Sequence, residues 1–183
     1  MSKKIIVCGL LAFSSLYAHA GDPRDIADVV GRDIDTIYFG HIGMWTGANV
    51  LEVLSNPGII FENSLASFKD QRYDAKPTVT KKYWGAKAAN LSATLKQYVI
   101  SSGRAQKAYA PQYTTSSSFT EGMYKSYCIQ YGRYGECVQS KTYLVPAVFR
   151  CDTFVQYSYK KGASYIASGL WPINVYNSFP ITR

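Results

Sequence analysis

Between positions 36 and 61, short runs of apolar residues are separated by turn-forming polar residues. Thr36 to Trp45 is rich in β-branched and aromatic residues and predicts a strand. Thr46-Gly47-Ala48-Asn49 predicts a turn, and Val50 to Leu54 a second strand. Asn56-Pro57-Gly58 breaks that run, and Ile59 to Phe61 predicts a third short strand. Ahead of these, Gly21 to Asp35 is polar and acidic, with a short helix predicted from Pro23 to Val30. From Tyr83 the period changes. Ala88, Leu91, Leu95, Tyr98 and Val99 recur at helical spacing, with Gly103 as the stop. Ala108 to Ser126 reads as a loop. Thr142 to Phe149 predicts a strand, Asp152 to Lys161 a helix ended by Gly162, and Trp171 to Phe179 an extended tail. Strands, helix, strand, helix make an α+β domain with an antiparallel sheet packed against helices.

The first twenty residues read as an address. Met1 to Lys4 carries two lysines, Ile5 to Tyr17 is mostly apolar and uncharged, and Ala18-His19-Ala20 places small residues at its end. That order predicts a secretory signal peptide over residues 1–20, cleaved after Ala20, with one domain over 21–183. The apolar run is short for a membrane span, and the competing reading is a buried N-terminal helix. Export would place the protein in a periplasm or outside the cell.

Cleavage changes the inventory of reactive side chains. His41 becomes the single histidine, and the cysteines become Cys128, Cys137 and Cys151. In an oxidising compartment two of three thiols are expected to pair. Cys128 and Cys137 bracket a short segment containing Gly132 and Gly135 and are the natural disulfide, which leaves Cys151 free. A different pairing, or three buried thiols, are the alternatives, because connectivity does not follow from sequence.

Composition narrows the function classes. At 183 residues, 47% apolar and 17% charged, the chain is neither disordered nor long enough for two ordinary domains. Its formal charge is +8, which the loss of Lys3 and Lys4 would lower by two, and it holds 16 tyrosines. One histidine and one free cysteine cannot form a usual zinc site, and no glycine-rich phosphate loop is present, so neither a metal nor a cofactor is expected. Tyr124, Tyr127, Tyr131, Tyr134 and Tyr143 cluster with Lys125, Arg133 and Lys141. Such a cluster can stack on sugars or single-stranded nucleic acid. Export argues against nucleic acid, and strand and loop packing is the plainer origin of the tyrosines. A non-catalytic envelope-binding protein is therefore one reading of the chain.

The other reading is an enzyme. A nucleophilic thiol needs a base and a positive field. Cys151 falls where a strand ends and a helix begins, where unpaired N–H groups and the helix dipole favour a thiolate. His41 is the single base available to it. A hairpin turning at Gly47 and Ala48 puts Gly43 opposite Glu52 and makes Glu52 a diagonal neighbour of His41. Glu52 can then orient the imidazole, with Glu62 and Asn63 as reserves. The plainer alternatives are a structural strand histidine, a small buried cysteine and a solvated glutamate.

Several segments carry a resemblance. Phe149-Arg150-Cys151-Asp152-Thr153-Phe154-Val155 resembles the nucleophile segment F-D-C-S-G-F-V of NlpC-type papain-like peptidases. Tyr83-Trp84-Gly85 resembles their Y-V-W-G-G segment, and His41-Ile42-Gly43-Met44-Trp45 their H-V-G-I-Y base strand. Val50-Leu51-Glu52-Val53 is similar to the next strand, which carries the third polar residue. Here the histidine precedes the cysteine, the order of the circularly permuted, YiiX-like branch. Gly58-Ile59-Ile60 and Ser64-Leu65-Ala66-Ser67-Phe68 look like segments of that branch. Asp152-Thr153 departs from the Ser-Gly of the motif, and Tyr83 lies farther from the cysteine than in ordinary members. The resemblance implies a permuted papain-like core and a cysteine hydrolase with Cys151, His41 and Glu52 at its centre. It also implies Tyr83, and with it Asp152, near the substrate and oxyanion. The implied substrates are cell-wall (peptidoglycan) peptides or other amides, and alternatively lipid acyl groups.

Overall fold

The computed structural model describes residues 21–34, 37–55, 59–70 and 82–183. The predicted signal peptide and the Asn56-Pro57-Gly58 break lie outside the described residues. Numbered in chain order, the strands are β1 (Val29–Ile34), β2 (Ile37–Trp45), β3 (Val50–Val53), β4 (Ile60–Asn63), β5 (Tyr83–Ala88), β6 (Gln112–Tyr113), β7 (Met123–Tyr131), β8 (Cys137–Val145), β9 (Val148–Phe149) and β10 (Ile181–Thr182). The helices are α1 (Leu65–Asp70), α2 (Ala93–Ala105), α3 (Cys151–Ala163) and α4 (Pro172–Asn177). The fold is α+β. Six strands form one antiparallel sheet in the order β10-β5-β1-β2-β3-β4.

Alternation along the strands divides the buried side chains between two clusters. Val29, Ile42, Met44, Leu51 and Val53 join Val99 and Ile100 of α2 and Phe154 and Val155 of α3 in the main core. Val30, Val50 and Ala86 join Phe68 of α1 in a second, smaller cluster. A period of two sends neighbouring residues to opposite faces, which is why Val29 and Val30 part company. Ser64 starts α1 by accepting the Ser67 N–H on its hydroxyl at 3.0 Å.

Helices α2 and α3 cross at glycines. A Cβ on Gly103 would stand 2.9 Å from Ser158 Oγ and 3.0 Å from Phe154 Cζ. A Cβ on Gly162 would stand 2.4–2.5 Å from the backbone of Tyr98 and Val99. Both glycines lie inside their helices rather than ending them, so the predicted stops at Gly103 and Gly162 are corrected. What each position requires is a missing side chain, for close approach. Helix α3 instead ends at Ser164, in the left-handed region at φ 52°.

Three further expectations are overturned. No helix forms over Pro23 to Val30. Asp28 accepts the Arg24 and Asp25 N–H groups on Oδ2, at 2.9 and 3.0 Å, and closes a turn. Val29 and Val30 then enter a central strand, where β-branched residues fit. The helical period proposed from Tyr83 begins later, because Tyr83–Ala88 pairs with β1 and only Ala93–Ala105 is helical, capped by the Ser92 hydroxyl. The tail is not extended. Pro172 occupies the first turn of α4, where its missing N–H costs nothing, and β10 follows at the sheet edge.

The segment between α2 and α3 carries a separate hairpin. Strands β7 and β8 pair only with each other, and nearly every residue of both is exposed. Cys128 and Cys137 are disulfide-bonded, with their Cα atoms 5.6 Å apart. Pro146 then separates β8 from β9, so the single strand expected over Thr142 to Phe149 is two. Among the described residues no helix is long and apolar enough to cross a membrane.

Candidate active site

Three adjacent strands supply three polar side chains. His41 lies on β2, Glu52 on β3 and Asn63 at the end of β4. Met44 pairs with Leu51 and Trp45 with Val50, the register that continues to put Gly43 opposite Glu52. The turn is set by Thr46, whose N–H donates to Asn49 O at 2.8 Å, and by Gly47 at φ 97°. Gly43 leaves the space between His41 and Glu52 open. A Cβ there would lie 2.5 Å from Val50 Cγ1 and 3.3 Å from Glu52 Cβ.

His41 Nε2 donates to Glu52 Oε2 at 2.6 Å, and Asn63 Nδ2 donates to Glu52 Oε1 at 2.5 Å. Glu52 is fully buried, and each carboxylate oxygen has a donor. That satisfaction is what makes a charged group tolerable out of water. The His41 ring lies beside Phe68 of α1, with ring centroids 5.8 Å apart. Glu62 faces elsewhere: its carboxylate binds Arg104 and Lys107, both at 2.7 Å, which hold it down at about pKa 2.

Cys151 is the first residue of α3, is the free cysteine among the described residues, and is 2% exposed. The turn that presents it is clamped. Arg150 N donates to Thr153 Oγ1 at 2.9 Å. The Arg150 guanidinium grips Asp152 with two bonds of 2.6 Å, and also donates to Leu170 O at 2.6 Å and Thr115 O at 3.2 Å. The Trp171 ring covers it at 5.1 Å. Asp152 is fully buried in this pair. Both its oxygens are engaged by Arg150, so the expectation that it meets substrate is corrected: it holds the N-terminus of α3 in place.

The thiol and imidazole act on each other. Burial is the largest influence on His41 and opposes its charge. The hydrogen-bonding and electrostatic contributions of Cys151, then those of Glu52, overcome it and raise the imidazole to about 9. With Nε2 on Glu52, the ring carries its proton at neutral pH between a carboxylate and a sulfur. A thiol beside an imidazolium at a helix N-terminus is an arrangement from which a cysteine can act as a nucleophile.

Tyr83, the tyrosine expected at the site, and Tyr113 are placed differently. Tyr83 packs under the Lys69 ammonium, 4.6 Å above its ring, with its hydroxyl buried and unpaired. Its hydroxyl is shifted upward by burial, then by Asp22, Tyr176 and Asp28. Its ring packs against the smaller cluster of Val30, Val50, Ala86 and Phe68, a position that suits core packing. Tyr113 lies on the strand beside the start of α3. It pairs in parallel with Phe149, two residues before the cysteine. Its hydroxyl is shifted upward by burial, then by Cys151 and Asp152, against Arg150. Sequence reading missed Tyr113 because it sits in a two-residue strand inside a polar segment. The one available signal, an aromatic able to pair with Val148-Phe149, is non-local.

Among the described residues no three His, Cys, Asp or Glu side chains group as metal ligands. Comparison with protein families, with curated proteins and with solved structures finds no match to this chain.

Proposed function

We propose that the protein is an exported cysteine hydrolase of the permuted papain-like kind, cleaving amide bonds in cell-wall peptides. The observation that supports this best is His41, hydrogen-bonded to buried Glu52 through Nε2 and coupled to Cys151 at the start of α3. The Cys151 thiolate attacks a substrate carbonyl carbon, and the carbonyl electron pair moves to its oxygen. The N-terminus of α3 and the nearby Tyr113 hydroxyl supply donors for that oxyanion. His41 gives its proton to the leaving amine as the C–N bond breaks, and a thioester remains on Cys151. A water molecule then loses a proton to His41 and attacks the thioester, the C–S bond breaks, and a carboxylic acid leaves with the thiolate–imidazolium pair restored. Glu52 keeps the imidazole oriented and its charge balanced throughout.

The basic surface favours encounter with an anionic envelope polymer such as peptidoglycan stem peptides. Mass spectrometry of purified peptidoglycan, and separately of mixed phospholipids, after incubation with the protein or with Cys151→Ala tests the proposal. Cysteine-dependent release of stem-peptide fragments is the expected result. Cysteine-dependent release of fatty acid or lysolipid would replace the peptide reading with an acyl-lipid one. Turnover that survives Cys151→Ala would remove the mechanism.

A further inference from the structure

The β7–β8 hairpin is an arm with no apparent task in the fold. A two-stranded hairpin is marginal in water by itself, and this one is closed by a disulfide near its tip. Its base is fixed by Tyr124, whose ring stands 5.9 Å from that of Tyr109. Beyond that point the arm exposes apolar side chains to solvent. Tyr131, Tyr134, Ile129 and Val138 crowd the distal end, and Tyr134 is 88% exposed.

Charge is arranged among these groups. Lys125 pairs across the ladder with Tyr143, and Tyr127 with Lys141, so two tyrosines and two lysines alternate on one face. The rings of Tyr127 and Tyr143 meet edge-on at 6.0 Å. Arg133 lies at the tip between Tyr131 and Tyr134. The single acid of the arm, Glu136, is folded into the turn, where its carboxylate accepts the Tyr134 N–H at 2.9 Å. Lys125, Lys141 and Arg133 outweigh that one carboxylate, so the arm carries net positive charge.

We propose that this arm docks the protein on an anionic phospholipid surface. Tyrosine places an apolar ring and a polar hydroxyl at the boundary between acyl chains and headgroups. Lysine and arginine bury their stems and keep their charge at the phosphates. The exposed aliphatic side chains decide between a lipid and a glycan. Ile129 and Val138 have no flat face for a sugar to stack on and no group to bond its hydroxyls, but they enter a bilayer interface readily. The disulfide holds the arm in the docking shape before contact, so little ordering is left to oppose binding. The inference stands apart from the chemistry of Cys151, and its test does not use turnover.

Vesicle flotation with the exported protein reads it directly. Vesicles containing phosphatidylglycerol are expected to carry the protein, and vesicles of phosphatidylcholine alone to carry much less, with binding weakened by salt. Lys125→Gln with Lys141→Gln is expected to weaken binding roughly thirtyfold. Tyr131→Ser with Tyr134→Ser is expected to weaken it roughly tenfold. These side chains are exposed, so an unchanged melting temperature separates lost binding from lost folding. No flotation with phosphatidylglycerol, flotation unaffected by all four substitutions, or arm-dependent binding to purified peptidoglycan without lipid would overturn the proposal. So would arm-dependent self-association with no vesicle binding.

Discussion

Glu52 holds His41 by one oxygen and is itself held by the other. The 2.6 Å bond from His41 Nε2 and the 2.5 Å bond from Asn63 Nδ2 make a relay across three strands. Glu52→Gln keeps the shape but removes the charge facing the imidazole. Activity is expected to fall on the order of 10²–10⁴-fold with little change in KM. Asn63→Ala acts one step farther out and is expected to cost about tenfold, and steady-state kinetics of the two variants checks the order.

The raised His41 value fixes a pH window. The folded imidazole titrates near 9 against an ordinary 6.5. Below 6.5 both folded and unfolded chains carry the proton, and the stabilisation is fully present. Between 6.5 and 9 only the folded chain carries it, so this contribution is lost as pH rises through that window. Melting temperature is expected to decline across it, and His41→Gln to flatten the decline. Turnover is expected to fall above about pH 9, where His41 no longer has a proton for the leaving group.

Arg150 and Asp152 form a buried ion pair on either side of Cys151 in the chain. Asp152→Ala would leave the guanidinium uncompensated, and a loss of about 3–5 kcal/mol in unfolding free energy is expected. Chemical denaturation measures it. A variant with unchanged stability and raised KM would instead return Asp152 to the substrate.

Gly43→Val tests the hairpin that assembles the base. Its side chain would have to displace Val50, whose Cγ1 lies 2.5 Å from the position of the new Cβ, and would crowd Glu52. Overpacking of this kind costs about 1–3 kcal/mol. Activity is expected to fall further than stability does, because the His41–Glu52 bond spans the same gap. A crystal structure of the variant would show Glu52 displaced.

What was legible in the sequence was local. The Thr46–Asn49 turn, with strands on either side, sets a register by itself, and that register brings Glu52 within reach of His41. The strand-to-helix step at Cys151 is likewise a local pattern. The errors have non-local causes. Gly103 and Gly162 look like helix stops because propensity alone prices a glycine, whereas here each is required by the other helix. Tyr83 carries the expected motif but faces Lys69, and Tyr113 is brought beside the segment leading to Cys151 through a pairing with Phe149 that no short window contains. Asp152 looked available to substrate until its neighbour in sequence proved to be its partner in the fold.

The glycine crossing has a consequence for how the thiol can be reached. Helix α3 is fixed at its far end, where Gly162 lies backbone to backbone against Tyr98 and Val99, and at its near end by the Arg150 clamp. A rod held at both ends neither slides nor tilts without breaking one of its anchors. In the proposed hydrolase Cys151 would therefore be a fixed target, and the segments at Thr115 and Leu170–Trp171, whose carbonyls and ring meet the clamp, would be left to adjust when substrate arrives. Selectivity in such an arrangement is a property of the doorway, and reactivity a property of the rod.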